Sequence, residues 1–175
     1  MSIQQAQIEL WVLEAQAGSR DAFSALCLHF YPSAISFGVK LCGQLPMAED
    51  ATHNALIRLS KTITRLEDPA AINSWIFKLV RWQVLDIIKH ESRYQALQPS
   101  DLQQVTAMAE DDSLTQAIAS LPKIEGQVIH LFYLEGLSAK EIGNVLEIPT
   151  GTVKSRLFRA RERLKQALVQ ILEQE

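Results

Sequence analysis

Apolar residues recur at intervals of three and four along almost the whole chain, the spacing that one face of an α-helix requires. Strand signals are nearly absent: β-branched residues seldom run consecutively, and seven Gly and six Pro punctuate the helical pattern. The fold class that follows is all-α. A length of 175 residues leaves room for one full domain or two small ones. With 47% hydrophobic and 21% charged residues the chain can bury a core, which excludes a disordered or collagen-like polymer.

The breaks divide the pattern into segments. A first helix is expected from Ile3 to Ala17, with Ile3, Ala6, Leu10 and Leu13 on its apolar face and Gly18 as its stop. Asp21 is the expected cap of a second, with Phe23, Leu26, Phe30 and Ala34 on one side and Pro32 as a bend or interruption. A third runs from Met47 to Arg65, carrying Ala48, Ala51, Ala55, Leu56 and Leu59. After a short loop at Asp68 and Pro69, a long helix from Ser74 to about Arg93 presents a wide stripe of Ile76, Leu79, Val80, Gln83, Val84, Ile87 and Ile88.

Around residue 92 the composition turns to Gln, Ser and Pro, and 91–115 holds five acids against one base. That reads as a linker at 93–113 between a domain of residues 1–92 and a second of residues 114–175. The second domain divides at Pro122, Gly136 and Pro149 into helices expected at Leu114 to Leu121, Lys123 to Glu135, Ser138 to Leu146 and Thr150 to about Glu173, with Ser138 and Thr150 as N-caps.

Cys27 and Cys42 are too few for a metal site or a disulfide framework, read best as small buried hydrophobes, and fit a reducing cytoplasm. No basic start followed by an apolar run marks a signal peptide. No stretch reaches the roughly 20 apolar residues of a membrane span, so the chain is expected in water. The net charge of −3 argues against coating nucleic acid through overall charge.

The charge is unevenly placed, however. In Leu137 to Lys165 two short helices meet at the tight turn Glu147-Ile148-Pro149, with Ala139, Ile142 and Gly143 facing Val153 and Leu157. This is a helix-turn-helix pattern in which Gly143 permits close approach. Thr150 to Lys165 then carries six bases, Lys154, Arg156, Arg159, Arg161, Arg163 and Lys165, against the single acid Glu162. A basic helix is often only a solvated face. On the second helix of such a motif, with Gly151 letting the N-terminus approach a phosphate, it points to duplex DNA. Thr152, Lys154, Ser155, Arg156, Arg159 and Arg161 are the candidate contacts. Phe158 either touches a thymine methyl or packs against the preceding helix.

On EGQVIHLFYLEGLSAKEIG at 125–143 and IPTGTVKSRLFRARERL at 148–164, the second domain resembles region 4 of bacterial sigma factors of the extracytoplasmic-function group. On GSRDAFSALCLHFYPSA at 18–34, MAEDATHNALIRL at 47–59 and SWIFKLVRWQVLDIIKH at 74–90, the first resembles their region 2. The resemblance implies a sigma factor that binds core RNA polymerase and directs initiation at promoter DNA, without catalysis or cofactor. An anti-sigma factor is a further implied partner.

Carried over residue by residue, the resemblance implies polymerase contacts at Asp50, His53, Asn54 and Ile57. Minus-ten strand contacts fall at Asn73, Lys78, Arg81 and Trp82, and minus-thirty-five contacts on the basic helix. Cations and an indole suit a single strand, since the former track phosphate and the latter stacks on bases. The chain departs from the family in having His53-Asn54 where Gln-Glu is usual, and Trp82 where an Asn often meets the extruded base. Trp82 is thus either a stacking surface or a core residue, and Trp75 reads as core. The alternative function is a regulator that kept the helix-turn-helix and lost promoter melting. An enzyme is disfavoured because no nucleophile–base pair, metal cluster or phosphate loop is visible.

Overall fold

The computed structural model describes residues 3–95, 117–118 and 120–172, and the chain divides into two compact units, Met1–Leu102 and Gln103–Glu175. All regular elements among the described residues are helical. Most of the expected linker at 93–113, and half of the expected helix from Leu114 to Leu121, lie outside the described residues.

Four helices build the first unit: α1 (Ile3–Gln16), α2 (Arg20–Cys42), α3 (Leu45–Thr62) and α4 (Ile72–Gln95). α1 buries Ile8 and Val12, whereas Leu10 and Leu13 are 47% and 52% exposed, so the face expected from Ile3, Ala6, Leu10 and Leu13 is corrected. Apolar residues lie on several sides of this helix, and its spacing alone does not select one. Tertiary contacts do, for Gln16 Nε2 donates to the carbonyl oxygens of Ile63 and Leu66 at 2.9 and 2.8 Å, fixing the helix's rotation.

α2 is capped by Ser19, whose Oγ accepts from Ala22 N–H, and not by Asp21, which falls in the first turn. It runs unbroken through Pro32 because that residue lies on the exposed side, and it ends at Gly43 with φ 81°. By length and composition α2 is the one helix among the described residues apolar enough to cross a membrane. Its Leu26, Phe30, Ala34, Phe37 and Leu41 are nevertheless buried in the first unit, while Leu28 is 77% exposed.

α3 offers small residues to α2: a Cβ on Gly38 would stand 2.9 Å from Ala48 Cβ, so glycine sets the closeness of that crossing. Two single 3₁₀ turns, Ile63–Arg65 and Pro69–Ala71, join α3 to α4, the second capped by Asp68 accepting from Ala70 N–H at 3.0 Å. α4 buries Ile72, Ile76, Phe77, Leu79, Val80 and Val84, and Phe77 meets Phe37 edge-on with centroids 5.5 Å apart. It continues to Gln95, past the expected start of the linker. Ile88, expected in its apolar stripe, is exposed.

In the second unit, α5 (Lys123–Ile129) passes into a π-helical turn at His130–Leu134 where one α-helix to Glu135 was expected. The turn closes with Glu135 N–H donating to His130 C=O at 3.2 Å, a five-residue step that seats His130 and Leu131 in the interior. α6 (Ala139–Leu146) and α7 (Thr150–Leu172) complete the unit. Val128, Ile129, Leu131, Leu137, Ile142, Val145, Val153, Leu157 and Ala160 form its core.

Candidate nucleic-acid interface

In the second unit the recognition geometry begins with caps. Ser138 Oγ accepts from Glu141 N–H while Glu141 Oε2 accepts from Ser138 N–H at 2.8 Å, a reciprocal box that starts α6. α6 ends at Glu147, whose left-handed φ of 56° turns the chain, and Ile148 N–H donates to Gly143 C=O at 3.0 Å. A Cβ on Gly143 would lie 2.9 Å from Ile148 O, so glycine is required by the carbonyl of the turn rather than by the body of the following helix. Pro149 O accepts from the N–H groups of Thr152 and Val153, and Thr150 is the first residue of α7 rather than its cap.

Val153, Leu157 and Ala160 anchor α7 from below, which leaves two flanking stripes at a 4-3-4 spacing. One is Thr152, Arg156, Arg159 and Arg163; the other is Lys154, Phe158, Arg161 and Lys165, with Ser155 exposed between them. Phe158 is 65% exposed, which decides against its packing on the preceding helix. Gly151 is exposed, and a Cβ there would meet nothing within the protein.

The six bases are not equivalent. Arg161 Nε donates to Tyr133 Oη at 2.7 Å, and its guanidinium carbon lies 5.5 and 5.6 Å from the Phe132 and Tyr133 ring centroids. Arg163 Nε stands 3.1 Å from Oε2 of the buried Glu125. These two bases tie α7 to α5 and the π turn. Arg159 Nε reaches only Ser155 O, at 3.4 Å, and among the described residues Lys154, Arg156 and Arg159 have no carboxylate partner. The charge nearest the start of α7 is therefore available to a ligand.

In the first unit, Asp50, His53, Asn54 and Ile57 share one exposed face of α3, and Ile57 is 55% exposed. His53 Nε2 lies 3.1 Å from Tyr31 Oη on α2, with the rings 5.4 Å apart, a partnership that separation in sequence conceals. On α4, Lys78 and Trp82 come together, half-buried, with Lys78 Nζ 5.1 Å from the Trp82 centroid. Arg81 is half-buried on the same helix. Asn73 lies about 13 Å from Trp82 toward the N-terminus of α4 at the usual helical rise, where its Nδ2 donates to Gln5 Oε1 at 3.1 Å.

Trp75 packs edge-on to Trp82 at 6.0 Å, its Nε1 buried without a hydrogen-bond partner. Cys27 and Cys42, expected as buried, are half-buried free thiols. Burial pushes the Cys27 thiol pKa up, while Cys42 Sγ donates to Gly38 O and Gln44 O, both at 3.2 Å. Among the described residues no group of three His, Cys, Asp or Glu could hold a metal ion.

A capped helix, a glycine-bearing turn and a basic second helix whose foremost cations have no carboxylate partner among the described residues define a helix-turn-helix protein of the DNA-binding kind. Residues 111–164 match the family described as Sigma-70, region 4. The chain is 26% identical to the ECF RNA polymerase sigma factor SigW of Bacillus subtilis, across 90% of this chain and 94% of that one. It is 25% identical to the RNA polymerase sigma-H factor of Pseudomonas aeruginosa, across 96% and 97%. Among solved structures, the sigma factor RpoE from Bartonella quintana, in complex with the anti-sigma factor NepR, superposes with a TM-score of 0.70 at 22% identity, covering 83% of this chain and 96% of that one. The chain belongs to the extracytoplasmic-function group of RNA polymerase sigma factors.

Proposed function

We propose that the protein, as a sigma factor of this group, binds core RNA polymerase through the exposed face of α3 and promoter DNA through α4 and α7. α7 meets the minus-thirty-five duplex with Thr152, Lys154, Ser155, Arg156, Phe158 and Arg159. Arg161, tied to Tyr133, contributes there only by exchanging that contact for DNA. α4 meets the opened minus-ten strand through Lys78, Arg81 and Trp82, while Asn73, held by Gln5, stands at the edge of that surface. The chain acts by binding, without chemistry of its own, in the cytoplasm, and an anti-sigma factor is its inhibitory partner, as NepR is the partner of the similar RpoE.

The observation that carries this reading is the division of the α7 bases. Among the described residues Lys154, Arg156 and Arg159 have no carboxylate partner, whereas Arg161 and Arg163 are engaged by Tyr133 and Glu125. The test is binding of the purified chain to bacterial core polymerase, followed by run-off transcription from the promoter upstream of its own gene. A discrete transcript is expected, and Asp50→Ala should weaken core binding by about 1 kcal/mol while leaving binding to a promoter duplex unchanged. A chain that binds the duplex but not core polymerase would overturn the assignment of α3.

A further inference from the structure

The cluster around Trp82 contains a cation that the strand-binding reading leaves unassigned. Arg58 stands on α3, a different helix, yet its guanidinium carbon lies 5.2 Å from the Trp82 ring centroid. Lys78 Nζ, one turn earlier on α4, lies 5.1 Å from the same centroid, and Trp75 approaches the ring at 79°. One indole is thereby surrounded by two cations and a second indole. A base could stack on it only by displacing part of that arrangement.

The negative face of an aromatic ring holds a cation by its charge and does not consume its N–H donors. A guanidinium so held keeps five donors to offer and an ammonium three. Among the described residues neither Arg58 nor Lys78 is paired with a carboxylate. Two positive groups each about 5 Å from one ring centroid raise the local positive potential, and an anion beside them relieves it. Arg58 is exposed and Lys78 half-buried, so both remain open to a ligand.

We infer that Arg58 and Lys78, gathered on Trp82, form a phosphate-binding pair for the backbone of single-stranded DNA, with Trp82 as the positioning residue that holds them. This rests on the reading of α4 as the strand-facing helix. Its consequence is a grip at this point that follows the phosphodiester chain and is indifferent to the base.

The test uses the full chain bound to bacterial core polymerase. It is titrated at several salt concentrations with a labelled single-stranded DNA of minus-ten-like sequence and with an oligo-dT strand of equal length. Arg58→Ala and Lys78→Ala should each weaken both strands by the same factor and reduce the slope of log affinity against log salt by about 0.7. Arg58→Lys should restore the slope. Trp82→Phe should keep it, and in a Trp82→Leu background Arg58→Ala should cost a smaller factor than in the parent, because the ring no longer places the guanidinium.

Arg58 is exposed, so its substitutions leave the fold intact. Unchanged affinity and slope in Arg58→Ala would overturn the pair. A loss in Trp82→Leu confined to the minus-ten-like strand would assign the ring to base stacking and also overturn it. If Arg58→Ala, Lys78→Ala and Arg81→Ala all leave strand binding unchanged while core binding persists, the reading of α4 itself fails.

Discussion

The two units use arginine and aromatic rings together, but in opposite senses. On the first, Trp82 gathers Arg58 and Lys78 at a surface where, among the described residues, no carboxylate pairs with them, so the ring concentrates charge. On the second, Phe132 and Tyr133 hold Arg161, and buried Glu125 holds Arg163, so these two bases tie α7 to the rest of its unit. The same residue types thus present charge in one unit and fix helix geometry in the other. What decides is whether a hydrogen-bond acceptor of the protein lies within reach.

The comparison can be broken most severely through the cores. Phe37→Ala removes a fully buried ring that meets Phe77 and should destabilise the first unit by about 3–5 kcal/mol. Trp11, Trp75 and Trp82 all lie in that unit, so urea unfolding followed by tryptophan fluorescence should shift strongly while duplex binding by α7 persists. A joint loss of both would show that the units do not hold their structures separately.

Gly143→Ala should act on the other side, forcing a methyl against Ile148 O at a cost of about 1–3 kcal/mol. Circular dichroism should register it, and the fluorescence transition should stay in place. Duplex binding should fall with the turn.

The division of the bases is sharpened by substitutions along α7. Arg156→Ala or Arg159→Ala should cost about 1–3 kcal/mol of duplex affinity and relax the minus-thirty-five preference, measured against point-substituted promoters. Arg161→Ala should cost less there, with its effect appearing in thermal stability through the lost Tyr133 contact. An equal loss of preference at Arg161 would erase the distinction between the front and rear of the helix.

The smallest effect is chemical. Burial disfavours the Cys27 thiolate, so the folded protein holds that proton to higher pH than the unfolded chain. Above the ordinary thiol pKa of 9.0 the unfolded state then binds fewer protons, and stability declines as pH rises. Alkylation of Cys27 at neutral pH should accordingly be slower than that of an unburied thiol, and mass spectrometry after timed iodoacetamide treatment reads it.

Periodicity and breakers sufficed for the helical class, for the order of α2, α3 and α4, and for the helix-turn-helix with its Ser138 cap. Each depends on residues within a few positions of one another, and local spacing records such relations directly. The basic character of α7 was legible for the same reason. Charge along one helix is a property of the sequence itself.

Tertiary structure alone decided the rest. It turned α1 so that Ile8 and Val12 face inward, because the carbonyls of Ile63 and Leu66 hold Gln16 and no local signal specifies that rotation. It carried α2 through Pro32 by placing the ring toward solvent, and it inserted the π turn that buries His130 and Leu131. It also separated the engaged bases from the available ones and brought Arg58 to Trp82. A partner on another helix is chosen by packing in three dimensions, and the spacing of residues along one helix carries no trace of it.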